Sequence, residues 1–244
     1  MTPEVGTTKV RAVTFDYGQT LAELDTAFLS ARALEWGAAV DAARLDAASP
    51  AAWQAYDDAK RKGLSGHDAW CTFMASLLGQ AGVTSVRTPA TDVTSSLVEY
   101  LWSEQPRKNL WRRPIAGMKE LVEELFGRGV PLGIVSNSEG RLAELLTEVG
   151  LDRYFRSVAD SGVLAFEKPD PRIFEHAARG LGVAANELVH VGDVWVADIE
   201  GALGVGARAI WVTESAPEEL PSGVLRARGA DEVRSALRAF GVPA

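Results

Sequence analysis

Asp16 closes an apolar, β-favouring run, Val10 to Phe15, and is followed by a glycine-containing loop and a hydroxyl residue, Thr20. Two more apolar runs end in polar pairs, Ser136-Asn137 and Gly192-Asp193, and Lys168-Pro169 lies in the loop after Asp160. A carboxylate on a rigid strand tip, ringed by main-chain N–H groups, can act as a nucleophile. Asp16 and Asp193 supply hard oxygen ligands suited to Mg²⁺, which prefers one or two carboxylates together with water and phosphate oxygens. Such a cation and the Lys168 ammonium would neutralise a phosphoryl group, so that a second anion, Asp16, could approach it. Ser136 and nearby N–H groups would bind the remaining oxygens as charge develops.

Each of these residues has a plainer role open to it. Asp16 could cap a turn, Ser136-Asn137 could cap a helix, Lys168 could be an exposed loop lysine, and Asp193 and Asp198 could cap the helix that follows. Their joint occurrence at successive strand ends favours the chemical reading, because ligands of open α/β sheets bind beyond the carboxyl ends of the strands.

The elements that must position these groups are legible from periodicity. From about Pro114 onward strand-like and helical segments alternate, which argues for a parallel α/β sheet. Val130 to Val135, Val158-Ala159, Leu188 to Val191 and Ala209 to Val212 join Val10 to Phe15 to give about five parallel strands. Helical spacing is expected through Met118, Leu121, Val122 and Leu125, through Leu142 to Val149, over Ile173 to Gly180, over Asp198 to Leu203, and near Asp231 to Phe240 in the charged tail from Ser215. Glu23 to Ser103 lacks strand alternation and reads as helices. Ser49-Pro50 is expected to start one that ends at Gly63, His67-Asp68 the next, and Thr91 to Trp102 forms another. The fold class is therefore α/β, a Rossmann-like open parallel sheet core (residues 1–22 and 104–244) with a small all-helical cap (23–103) as a lid over the sheet's carboxyl edge. Five tryptophans (Trp36, Trp53, Trp70, Trp102, Trp111) fall in this module or its return connector and are expected mostly in its core.

Composition narrows the function classes. Hydrophobic content of 47%, charged content of 24% and a net charge of -8 suit an ordinary soluble protein and disfavour nucleic-acid binding. The densest basic group, Arg107, Lys108, Arg112 and Arg113, reads as a solvated connector. Cys71 is the single cysteine, which excludes an intrachain disulfide and suits a reducing cytoplasm. It is expected to be buried, with no His–Cys spacing that suggests a thiol nucleophile; His176 and His190 read as structural, and His67 is left open. Met1 to Lys9 has no apolar core of a signal peptide, and no run approaches a membrane span. A cytoplasmic location without membrane or nucleic-acid partners is expected.

Taken in order, the polar clusters resemble the four motifs of the haloacid dehalogenase (HAD) superfamily. Phe15-Asp16-Tyr17-Gly18-Gln19-Thr20-Leu21 is similar to the first, Ile134-Val135-Ser136-Asn137-Ser138 to the second and Glu167-Lys168-Pro169-Asp170 to the third. Val191-Gly192-Asp193 through Asp198 is similar to the acidic fourth. The resemblance implies that Asp16 attacks phosphorus and forms an aspartyl-phosphate. It implies that Mg²⁺ is held by Asp16, the Gly18 carbonyl and Asp193, with Asp198 a ligand or one layer behind. Ser136, with its neighbour Asn137, and Lys168 carry over as phosphate-binding residues, and Thr20 as the hydroxyl that braces the loop. The expected partner is a small phosphorylated metabolite.

Gly18 departs from that pattern. Phosphatases of the superfamily usually carry there an aspartate that protonates the leaving group and activates water. Gln19 cannot transfer protons at neutral pH, and Tyr17 would point to the opposite side if strand geometry continues. A slow or selective Mg²⁺-dependent phosphatase is favoured. A C–P hydrolase using Lys60 or Lys62 as a Schiff base, a C–halogen hydrolase, and a phosphoryl-ligand-binding module are the alternatives.

Overall fold

The computed structural model describes residues 8–86, 93–214 and 217–244. The leader-free reading of Met1 to Thr7, the helix start at Thr91 and the tail start at Ser215 lie outside the described residues. The chain divides into two compact units, Met1–Glu23 with Arg113–Ala244, and Leu24–Arg112.

The first unit is built on a six-stranded parallel sheet. Its strands run Val224–Ala227, Arg208–Val212, Leu188–Gly192, Ala12–Phe15, Leu132–Ser136 and Ser157–Asp160 in spatial order. All four residues of Ala12–Phe15 are buried, as expected for a central strand covered on both faces. Phe15 is in register with Ile134 on one side and Val191 on the other. The chain's first strand therefore sits between the two strands that carry the second and fourth polar clusters, so their carboxyl ends come side by side.

Helices follow the apolar stripes that specify them. Met118–Gly127 buries Met118, Leu121, Val122 and Leu125. Pro171–Leu181 starts with proline in its first turn, is capped by Asp170 accepting from Arg172 N, and buries Ile173, Phe174, Ala177, Ala178 and Leu181. That face joins Ala12, Val135, Leu188 and Ala209 in one apolar cluster. Fully burying each such aliphatic or aromatic side chain stabilises the fold by roughly 1.5–3 kcal/mol before chain entropy is counted.

Two features of this unit differ from the sequence reading. A sixth strand, Val224–Ala227, pairs in parallel with Arg208–Val212 at the sheet edge. It is short and carries exposed Arg226, so its alternation is too brief to register as a strand. The expected helix from Asp198 instead begins at Trp195 as a π-helix, Trp195–Glu200, and continues as α-helix over Gly201–Gly204.

The second unit contains helices Thr26–Trp36, Ala42–Arg61, Gly66–Ala81 and Val93–Glu104. It also holds a two-residue antiparallel ladder, Ala38–Ala39 with Thr84–Ser85, that helical periodicity did not suggest. Ser49-Pro50 does not start a helix. Asp41 does, accepting from Arg44 N at 3.0 Å, and Pro50 lies inside a twenty-residue helix. The missing hydrogen bond is tolerated because Leu45, Ala48, Ala52 and Ala59 bury a continuous stripe, and the helix packs on Gly66–Ala81. Trp70 and Trp111 are buried, while Trp36, Trp53 and Trp102 are half-buried. Trp53 stacks on Phe73 at 4.3 Å and Trp102 on Trp70 at 5.1 Å, which makes them core elements of this unit.

Cys71 is half-buried rather than buried, and its Sγ lies 3.4 Å from Nε2 of His67, one helical turn earlier. Burial, Asp68 and Glu99 raise its pKa, so the thiol is not activated by that neighbour. The basic connector is neutralised locally. Arg107 pairs with Glu104 at 3.2 Å, Lys108 with Glu35 at 3.3 Å and Arg113 with Glu23 at 2.8 Å, while Arg112 lies over the Phe28 ring. Among the described residues, no helix is long and apolar enough to cross a membrane.

Candidate active site

Asp16 follows the central strand, and its N–H donates to Val191 O at 2.8 Å, so the sheet ladder fixes its backbone. Alternation puts Thr14 and Asp16 on the same side of the strand. Thr14 is in register with His190, and His190 and Gly192 face that same side. Into this face come Lys168, from the loop after Ser157–Asp160, and Asp198, from the π-helix.

Lys168 Nζ lies 2.8 Å from Asp16 Oδ1 and 2.5 Å from Asp198 Oδ1. All three groups are buried. One carboxylate oxygen each from Asp16, Asp193 and Asp198 lie within 4.8 Å of one another. Burial pushes the Asp16 carboxyl above its usual range and the Asp198 charge adds to that, against the Lys168 ammonium and hydrogen bonds from Lys168 and Ser136. Asp198 goes the other way. Burial would raise it, but Lys168 and His190 together hold it well below the ordinary carboxylate range. Burial would lower Lys168, but the two aspartates hold it above the usual lysine value. One ammonium among three carboxylates makes an oxygen-rich cluster that could hold a hard divalent cation.

Asp198 is held tightly. Its Oδ2 accepts from Val194 N at 2.9 Å, and Asp198 N returns a hydrogen bond to Val194 O at 2.8 Å. Gly192 makes room for it: a Cβ there would stand 2.3 Å from Asp198 Cγ. The main-chain oxygen of Asp193 accepts from Trp211 Nε1 at 2.8 Å, and Trp211 packs edge-on against Trp195.

The remaining sequence candidates take the following places. Ser136 is buried at its strand end, near enough to Asp16 to favour its charged form. Asn137 turns to Lys168: its Oδ1 accepts from Lys168 N at 2.8 Å and its Nδ2 donates to Lys168 O at 3.1 Å. It acts on the lysine's backbone, which the phosphate-binding expectation did not foresee. The loop carrying Gly18 is closed by main-chain hydrogen bonds, Gln19 N to Ala22 O and Leu21 N and Ala22 N to Tyr17 O. The buried Thr20 Oγ1 makes no hydrogen bond among the described residues, so the expected hydroxyl brace is absent. In the helical unit, Lys60 is buried and its Nζ donates to Leu64 O at 3.3 Å, which engages the amine in its own helix end.

Sequence reasoning missed three positioning groups, Asp160, His190 and its partner Thr14. Asp160 was read only as a strand end, yet Oδ1 accepts from Gly140 N and Gly162 N and Oδ2 from Leu142 N, which shapes the loop after Ser136. His190 was read as structural, but its Nε2 meets Asp198 Oδ1 and its Nδ1 meets Thr14 Oγ1, both at 3.0 Å. Two apolar strands, each with one polar exception, Thr14 in Ala12–Phe15 and His190 in Leu188–Gly192, were the available signal.

A central strand that ends in a buried carboxylate, with a lysine and an acidic cluster from later strand ends, defines an open-sheet α/β protein with a carboxylate–lysine site at its strand ends. The family model of haloacid dehalogenase-like hydrolases matches residues 10–206, and the chain belongs to that family. It is 31% identical over 162 residues to haloacid dehalogenase-like hydrolase domain-containing protein 3 of Bos taurus, covering 66% of this chain and 61% of that protein. It is 34% identical over 133 residues to phosphoserine phosphatase of Thermus thermophilus, covering 54% of this chain and 52% of that one. The chain thus spans only 61% of the bovine relative's length. Among solved structures, the HAD-hydrolase YfnB of Bacillus subtilis, bound to magnesium, superposes with a TM-score of 0.68 at 20% identity, covering 94% of this chain and 99% of that one. That likeness concerns the fold.

Proposed function

We propose that the protein is a Mg²⁺-dependent phosphatase of small phosphorylated metabolites, working through an aspartyl-phosphate on Asp16. The observation that carries this reading is the contact of Lys168 with both Asp16 and Asp198 beside the Asp193 carboxylate. The phosphatase name of the Thermus relative supports the substrate class.

The donor set fits a hard cation: Asp16, Asp193 and the Gly18 carbonyl would hold Mg²⁺, with Asp198 behind them because both its oxygens accept from protein donors. When bound, the ion supplies charge neutralisation at the phosphoryl oxygens. Asp16 attacks phosphorus in line, and the leaving alkoxide departs as the phosphoryl group passes to the carboxylate. Lys168 and the Ser136 hydroxyl bind the equatorial oxygens, and the Thr20 hydroxyl, without a hydrogen bond among the described residues, is given the same duty. Water then hydrolyses the acyl phosphate, returning Asp16 and releasing inorganic phosphate. Gly18 offers no proton at the leaving-group side, so substrates with low-pKa leaving groups are favoured. The helical unit, residues 24–112, is the part we assign to substrate selection.

A panel of phosphate monoesters with and without Mg²⁺, run beside Asp16→Asn, tests this. Mg²⁺-dependent phosphate release that the variant lacks is expected. Release no faster than from the variant would overturn it.

A further inference from the structure

His190 lies in the middle of the strand Leu188–Gly192, fully buried, and both its ring nitrogens are partnered. Nδ1 is 3.0 Å from Oγ1 of Thr14, its register neighbour on the central strand. Nε2 is 3.0 Å from Oδ1 of Asp198. Phe174 packs edge-on against the ring at 5.2 Å. An apolar ring would fill this space without the desolvation that a buried imidazole and hydroxyl incur. The polar contacts therefore ask for another reason.

Hydrogen-bond chemistry assigns the roles. The Asp198 carboxylate oxygen only accepts, so Nε2 carries a hydrogen and donates it; Thr14 Oγ1 holds the other side of the ring. Asp198 Oδ1 then serves His190 and Lys168 together, and Oδ2 serves Val194 N. Lys168 Nζ also touches Asp16. A continuous contact chain runs from Thr14 through His190, Asp198 and Lys168 to Asp16.

We infer that His190, braced by Thr14, is a positioning residue whose Nε2–H fixes the Asp198 carboxylate, and so sets where Lys168 stands against Asp16 and how the acidic cluster meets a divalent cation. The cation part of this inference rests on the phosphatase reading. The hydrogen-bond part stands without it. Partners one layer behind metal ligands, the place given to Asp198, are worth about 10–100-fold in metal affinity, and because His190 acts through Asp198 the low end of that range sets the size of the expected effect.

The experiment compares wild type with His190→Phe, His190→Gln and Thr14→Val. Folding is checked by circular dichroism, Mg²⁺ affinity by calorimetry, and kcat and KM with p-nitrophenyl phosphate. His190→Phe is expected to bind Mg²⁺ at least about tenfold more weakly, with kcat falling more than KM rises, whereas His190→Gln, which keeps an N–H near Nε2, recovers most of the loss. Thr14→Val should fall between them.

A folded His190→Phe with wild-type Mg²⁺ affinity and kcat would overturn the inference. If that variant does not fold, Thr14→Val decides, and unchanged affinity and kinetics there overturn it equally. Long-range ¹H–¹⁵N spectra of the imidazoles in metal-free protein give a readout independent of activity. The His190 resonances, identified by their loss in a substituted variant, must show hydrogen on Nε2, and a bare Nε2 would refute the contact. Wild type that neither binds Mg²⁺ nor releases phosphate would sink the phosphatase reading, while these spectra would still decide the His190–Asp198 hydrogen bond.

Discussion

The Asn137 side chain grips the main chain of Lys168 at both ends, accepting from its N–H at 2.8 Å and donating to its carbonyl at 3.1 Å. The residue after the second strand thus sets the backbone from which the lysine reaches Asp16. Asn137→Ala should lower kcat for p-nitrophenyl phosphate by about 10²-fold through misplacement of the ammonium. The lost hydrogen bonds should also lower stability by about 1–3 kcal/mol. Wild-type kinetics in the alanine variant would show that Lys168 is placed by other contacts.

On the phosphatase reading, Gly18 has no side chain to give the leaving group a proton. Gly18→Asp would add a carboxyl at that position. For substrates with poor, alkoxide leaving groups, kcat should rise by about 10²-fold, the low end of general acid–base help. For p-nitrophenyl phosphate, whose leaving group needs little protonation, the change should be small. Equal effects on both substrate classes would mean that proton transfer is not what position 18 lacks.

Gly162 sits where a Cβ would stand 2.3 Å from Gly140 N and 2.7 Å from Ser138 O, both main-chain atoms. The loop after Ser136 can approach only because this position has no side chain. Asp160 then ties Gly140, Leu142 and Gly162 together. Gly162→Ala should cost about 1–3 kcal/mol in urea unfolding, as overpacking against backbone does. An unfolding midpoint equal to wild type would refute the close approach.

Asp198 links stability to pH in the metal-free protein. Its folded pKa is depressed because, against burial, Lys168 and His190 favour the charged form. The unfolded chain binds a proton there near pH ~3.9, so the stability this group supplies is whole above that pH and drains as pH falls toward the folded value. Asp16, raised by burial, contributes with the opposite sign. In EDTA, the gap in urea midpoint between wild type and Asp198→Asn should therefore narrow on acidification from neutral pH to below about 4. A gap independent of pH would mean that Asp198 is not ionised more readily when folded.

Much of this was written in local sequence. Apolar runs that end in Asp16, Ser136 and Gly192-Asp193 specify strands by β propensity and burial, and Ile173 to Gly180 shows a helical stripe that needs no partner to be recognised. The carboxylate, hydroxyl and lysine of the candidate chemistry were therefore readable as residue types at strand ends.

What only the tertiary structure decided is which ends are neighbours. Strand order is set by packing between segments far apart in the chain, and it placed Ala12–Phe15 between Leu132–Ser136 and Leu188–Gly192. From that order follow the contacts of Lys168 with Asp16 and Asp198, the turn of Asn137 toward Lys168, and the pairing of Thr14 with His190. The same non-local packing kept Pro50 inside a helix and added Val224–Ala227 at the sheet edge. Periodicity is a property of one segment. Side-chain contacts across 176 residues, as between Thr14 and His190, are a property of the fold.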